Sequence, residues 1–361
     1  MKNKVTLLAA LALASLPLSA GELHNFSKLR VEARSDFDYM NRSYDNDNNR
    51  VSVPGDSSEY GFNGKYFNLH VAGEFAEKFS YYFRQRVIAK PGAVSFFDNT
   101  DFLWLQYQMN ENWAVRAGKD FLRIGGYEYD AAPIDEYFVT NFWQNIACFQ
   151  LNATLIYTST DRRNEAGLQV SNSPYVYYAG SGDEWKRGLL GYGLYWNMSY
   201  EHFKTLWSVN MFERERGDYV GYIALGNKFE FCGASLYVDY LNRVVNTDKF
   251  FADFSFVSRL DVPVGNANIF LKGGIEQNLA EKVDFATISE RDITLTPGTK
   301  YQFYGLGVEY RPEACKDVRL HAFAANAITK NPDLAPGVTQ NDLNVNFGLS
   351  FNLDFLKWMR K

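Results

Sequence analysis

The end of the chain carries the clearest hydrophobic pattern. Leu343, Val345, Phe347, Leu349, Phe351, Leu353 and Phe355 occupy one set of alternate positions. Asp342, Asn344, Asn346, Gly348, Ser350, Asn352 and Asp354 occupy the other. Side chains point to opposite faces along a strand, so this segment predicts one wholly apolar face and one polar or glycine face. The pattern recurs. Leu29, Val31, Ala33, Phe37 and Tyr39 alternate with Arg30, Glu32, Arg34, Asp36 and Asp38. Phe250, Ala252, Phe254, Phe256 and Leu260 alternate with Asp253, Ser255, Arg259 and Asp261. Ala267, Ile269, Leu271 and Ile275 alternate with Asn268, Lys272 and Glu276, and Val318, Leu320, Ala322 and Ala324 with Arg319 and His321. Three residues break the rule: Gln85 falls on an apolar face, and Phe270 and Phe323 fall on polar ones.

Extended along the chain, the reading gives sixteen strands, near 28–40, 60–75, 79–90, 101–110, 113–119, 147–158, 166–172, 188–201, 203–212, 219–231, 234–243, 250–262, 267–277, 300–311, 318–328 and 341–355. Several reach the roughly 9–11 residues that cross a membrane at a tilt. The connections alternate in length. Short ones are 76–78, 110–112, 159–165, 202, 232–233, 263–266 and 312–317; long ones are 41–59, 91–100, 120–146, 173–187, 278–299 and 329–340. Bacterial barrels have short periplasmic turns and longer outer loops, so with a periplasmic N-terminus every short turn falls on the expected side. Two outer loops, 213–218 and 244–249, break the length rule. The fold class expected is all-β: a transmembrane antiparallel barrel of about sixteen strands. A closed barrel of that size encloses an aqueous channel rather than a filled core.

Composition sharpens this picture. Aromatic residues make up 17% of the chain, with 29 Phe and 24 Tyr, yet mean hydropathy is slightly negative at −0.31. A barrel with apolar-out, polar-in strands has these properties together. Lys2 and Lys4, the apolar run Val5–Leu18 and the small residues Ser19 and Ala20 form a secretory signal peptide over residues 1–20, leaving 21–361 as a single barrel domain. Of 37 basic residues 35 remain after it, against 42 acidic, a net charge of −7. An acidic chain is a poor partner for nucleic acid. Cys148, Cys232 and Cys315 are too few and too scattered for a disulfide framework, and His24, His70, His202 and His321 have no metal-ligand spacing. No cofactor or metal is expected.

The segment 65–129 resembles the phosphate-selective porin O and P family. The likeness rests on Gly64-Lys65-Tyr66, Phe79-Ser80-Tyr81, Leu103–Asn112 and Val115-Arg116-Ala117-Gly118-Lys119, followed by a long loop. The resemblance implies a homotrimer of sixteen-stranded barrels in the outer membrane. It implies an inward-folded third loop, basic residues at the pore and passage of anions such as phosphate. By motif position it carries Arg116 and Lys119 to the pore lining. A dense basic ladder is missing from this sequence, and the third loop is acidic.

That loop, residues 120–146, holds Arg123 against Asp120, Glu128, Asp130, Asp135 and Glu136, with Gly125-Gly126 and many aromatics. Long unstructured loops are functional or disordered, and its aromatics argue for order. It is expected to fold into the lumen; the alternative is an outward loop that closes the mouth or packs on a neighbour. Alternation places Arg30, Arg34, Arg84, Arg86, Lys90 and Arg116 inside, as a basic wall facing the acidic loop. Charged walls set ion preference in pores. The plain alternative is a set of solvated lumen charges balanced by Glu32, Asp36 and Asp38. Two other functions are open to such a chain: a non-conducting barrel with adhesive loops, and an outer-membrane hydrolase, for which the sequence holds no G-x-S-x-G motif and no His and carboxylate at suggestive spacing.

Overall fold

The computed structural model describes residues 26–46, 49–51, 57–88, 95–175, 188–243, 251–279 and 295–359. The expected signal peptide, Lys90 and parts of four long loops lie outside them. The chain forms strands β1 (Phe26–Asn46), β2 (Asn49–Val51), β3 (Ser57–Phe75), β4 (Phe79–Arg86), β5 (Thr100–Gln108), β6 (Trp113–Phe121), β7 (Phe149–Thr158) and β8 (Asn164–Asn172). It continues through β9 (Leu190–Tyr200), β10 (Phe203–Glu215), β11 (Asp218–Phe231), β12 (Ala234–Asn242), β13 (Asp253–Val264), β14 (Ala267–Asn278), β15 (Lys300–Tyr310), β16 (Val318–Lys330) and β17 (Val338–Asp354).

From β3 onward, each strand pairs antiparallel with its successor. The sheet closes because β17 also pairs with β1, from Arg30↔Asp354 to Asn46↔Val338, while the other edge of β1 pairs with β3. The three-residue β2 is a rung on the outer part of β1, so sixteen strands make the wall. Closure satisfies every strand edge, the condition for a sheet to span lipid. All sixteen expected strands are present. The boundaries differ most at β1, which runs to Asn46; at β4, which stops at Arg86; and at the C-terminus, where Phe355–Met359 turns helical.

Alternation divides outside from inside. On β17, Leu343, Val345, Phe347 and Leu349 are exposed on the outer face, whereas Asn346 and Ser350 are buried. The same outward apolar band carries Leu103, Leu105, Leu168, Leu194, Leu271 and Leu306. Aromatic pairs gather beside the short turns: Phe75 and Phe79 with ring centroids 5.3 Å apart, Trp113 and Tyr157 at 5.0 Å, Phe203 and Phe229 at 5.1 Å, Trp196 and Trp207 at 5.6 Å. An aromatic girdle at a membrane interface looks like this. At Cys232-Gly233 both residues have positive φ, 49° and 84°, which lets a two-residue turn follow the strand twist.

Candidate constriction site

The three exceptions to alternation mark where the wall departs from a plain sheet. A register shift between Arg84 and Gln85 turns both side chains inward, and Gln85 accepts a hydrogen bond from Thr100 Oγ1 at 2.7 Å. Phe270 and Phe323 are apolar lumen residues because the loop between β6 and β7 covers them. Tyr137 of that loop stacks on Phe270 at 5.4 Å and lies 5.6 Å from Phe323.

The loop, residues 122–148, therefore runs inside the barrel. Its first part lies backbone-to-wall. Gly125 N donates to Ser208 Oγ at 2.9 Å and Gly126 N to Leu206 O at 3.1 Å. A Cβ on Gly125 would stand 2.3 Å from Leu206 O, so only glycine permits this approach. Leu122, Ile124 and Phe142 then bury against Phe212, Tyr222, Ala224 and Leu241 of β10–β12. Burying a side chain of this size contributes about 1.5–3 kcal/mol.

Polar anchors complete the docking. Asp239 of β12 accepts Glu128 N at 2.8 Å, and Glu276 of β14 accepts Asn141 N at 2.6 Å and Phe142 N at 3.3 Å. Lys272 Nζ reaches Glu128 at 2.7 Å and Glu136 at 2.6 Å. Burial pushes the Glu136 carboxyl above its ordinary range, against the pull of Lys272 and Arg259. Arg319 Nη1 holds Asp135 at 2.5 Å, and Tyr137 OH donates to Glu309 at 3.0 Å. Arg34 of β1 also reaches the loop: Nη1 donates to Glu136 O at 2.6 Å, and the guanidinium lies 4.5 Å from the Tyr137 ring.

Three of the loop's acids thus do not face the basic wall expected from the sequence. Glu128, Asp135 and Glu136 are matched by Arg259, Lys272 and Arg319 on β13, β14 and β16. All three were visible on the polar faces of alternating segments. Nothing in the sequence indicated that the loop would lie on that side.

The wall on β4–β6 is arranged differently. Asp101 lies between Arg84 Nη2, at 3.0 Å, and Arg86 Nε, at 2.8 Å. Asp120 lies between Arg116 Nη1, at 3.0 Å, and Arg123 Nη2, at 3.6 Å. Four arginines share two aspartates. Each guanidinium lies over an aromatic ring: Arg84 over Phe102 at 4.4 Å, Arg86 over Phe149 at 6.0 Å, Arg116 over Trp104 at 4.2 Å and Arg123 over Phe121 at 4.3 Å. Such contacts fix the groups without neutralising them.

Other expected wall residues are balanced locally. Arg30 pairs with Glu32 at 3.5 Å and Arg34 with Asp36 at 2.6 Å, while Asp38 pairs with Lys65 at 2.6 Å. On β1 each of these lumen charges has a local partner of opposite sign. Lys119 shares a register position with the outward Leu103, and its ammonium is tied to Phe97 O at 2.6 Å, away from Arg116. Asp130 follows Glu128 in the loop and is exposed to solvent.

Residues 29–184 match the model of a family described as phosphate-selective porin O and P. Among solved structures, an anion-selective porin from Comamonas acidovorans is similar at 14% identity and a TM-score of 0.56, covering 90% of this chain and 98% of that one. An engineered variant of the Rh. blastica porin aligns at 10% identity and a TM-score of 0.50, covering 90% and 99%. At such identities the likeness concerns the fold. A comparison with curated protein sequences finds no significant match.

Proposed function

From the premise that the chain belongs to the phosphate-selective porin O and P family, as an outer-membrane channel for small solutes rather than an enzyme, we propose that it passes small anions in preference to cations. The observation that carries this reading is the sharing of Asp101 and Asp120 among Arg84, Arg86, Arg116 and Arg123. That leaves an excess of two positive charges on one side of the lumen, with Arg86 and Arg116 the more exposed members of their clusters. Across the lumen three of the loop's carboxylates, Glu128, Asp135 and Glu136, are matched by Arg259, Lys272 and Arg319, of which Arg259 and Arg319 also hold Glu309. The name of the Comamonas porin agrees with this sign. Phosphate fits the same charge logic, with guanidinium edges as its donors.

The proposal extends to export and assembly. Residues 1–20 act as a cleaved signal, and the barrels associate as a homotrimer. The outward face of β3 supports association, since Tyr60 and Phe62 are 78% and 85% exposed beside Phe37 and Phe347. The deciding experiment is single-channel recording of the refolded protein in a salt gradient. A reversal potential of the anion-preferring sign supports the reading, and a cation-preferring sign overturns it.

A further inference from the structure

Lys272 has an environment unlike that of any other lumen cation described above. It sits at mid-strand on β14, opposite Arg259 of β13 and Gly305 of β15, with 2% of its surface exposed. An ammonium has three N–H donors. Here they meet Glu128 Oε1 at 2.7 Å, Glu136 Oε2 at 2.6 Å and Phe138 O at 2.9 Å. All three partners belong to the inward loop: Glu128 comes from its first helical turn, and Glu136 and Phe138 from the segment that follows. The loop prepares the site from its own side, because Thr140 Oγ1 donates to Glu128 Oε2 at 2.6 Å and Thr140 N to Oε1 at 3.2 Å.

We propose that Lys272 is the positioning residue that keeps the loop folded into the lumen and so sets the calibre of the passage. The Asp239 and Glu276 contacts tie the loop's two short helical turns, Tyr127–Asp130 and Asn141–Asn145, to the wall. Lys272 draws the intervening segment toward the wall between them. Without it, two buried carboxylates lose their main counter-charge, and an uncompensated buried charge is strongly destabilising. The relief open to a loop is to carry those carboxylates back toward water, through the passage it lines. This inference rests on the channel reading but not on its ion preference.

The test uses the full-length protein reconstituted in planar bilayers, with uncharged polyethylene glycols of graded size as probes. Lys272→Met should raise conductance and shift the polymer exclusion limit to larger chains, while the barrel keeps its heat-modifiable migration on gels. Glu128→Gln/Glu136→Gln alters only the loop and should shift the exclusion limit in the same direction, which keeps the test available if the wall variant does not fold. A merely structural role for Lys272 lowers barrel stability and leaves the exclusion limit of the folded channel unchanged. An unchanged exclusion limit in either folded variant overturns the proposal. Reversal potential, read in the same bilayers, reports separately on anion preference, so the two readings fail independently.

Discussion

The anion preference can be tested without leaving a bare carboxylate in the lumen. Arg86→Gln together with Arg116→Gln removes one guanidinium from each cluster. Arg84 remains on Asp101 at 3.0 Å and Arg123 on Asp120 at 3.6 Å, so each aspartate keeps a partner. The wall changes from an excess of two positive charges to neutrality. A univalent ion passing roughly 7 Å from one uncompensated charge has an interaction of about 0.6 kcal/mol at the dielectric of water, or about 1.2 kcal/mol for two. That corresponds to about an eightfold local enrichment of anions and a similar depletion of cations. Salt at 0.1 M, with a Debye length of about 10 Å, trims the effect, whereas the low-dielectric wall enlarges it. Reversal potential in a KCl gradient should therefore move from the anion-preferring side to near zero, with little change in conductance because the docked loop is untouched. A reversal potential equal to wild type would refute the assignment of selectivity to these clusters.

Three further outcomes follow from the fold. Gly226→Val places a Cβ 2.7 Å from Gly126 Cα; accommodating it costs about 1–3 kcal/mol of loop docking and should alter single-channel conductance, and an unaltered channel would show that the loop's backbone contact is dispensable. Leu349→Arg, on the lipid face, should destabilise the refolded barrel by about 2–4 kcal/mol, whereas Asn344→Arg, facing the lumen, should cost far less; equal urea midpoints would contradict the inside–outside assignment. An epitope inserted at Pro332–Pro336, between β16 and β17, should bind antibody on intact cells, and one at Asn110–Asn112, between β5 and β6, should not; the reverse pattern would invert the topology.

The wall was legible because membrane and lumen impose opposite demands on alternate residues. Leu349 and Ser350 are neighbours in sequence, yet one faces lipid and the other is buried inside. The same logic made Phe270 and Phe323 look like errors, when they are where the Tyr137 segment rests. Gln85 looked anomalous because alternation assumes perfect register, and a one-residue shift beside Arg84 turns its side chain inward. The acidic loop was legible as a loop, and Gly125-Gly126 marked it as one, but its docking partners were not. Glu128 and Lys272 lie far apart in sequence, and only the closed sheet brings them within 2.7 Å. Nor does a residue's face reveal whether its charge is spent, which is why Arg30 and Arg116 read alike in sequence and differ in the structure.

That distinction separates the channel's sign from the chain's. The exported chain is acidic, and the loop that narrows the lumen is acidic too, so composition alone points to cations. A permeating ion responds only to charges left uncompensated within about a Debye length of its path. Glu128 and Glu136 are buried against Lys272, and Arg319 holds Asp135. With Arg259 standing 3.7 Å from Glu136 as well, the three loop acids meet three cations, and charges paired at such distances present dipoles, whose field falls away faster than that of a single charge. In contrast, an aspartate shared by two guanidiniums leaves one whole positive charge, and stacking on Phe102 or Trp104 holds that charge in place. On the proposed anion reading, the acidic loop occupies the cations of β13–β16 and leaves those of β4–β6 to act on the solute. It follows that neutralising Glu128 and Glu136 should affect calibre first, whereas neutralising Arg86 and Arg116 should affect sign first. A channel in which both sets shifted reversal potential equally, with no change of exclusion limit, would not have this division of labour.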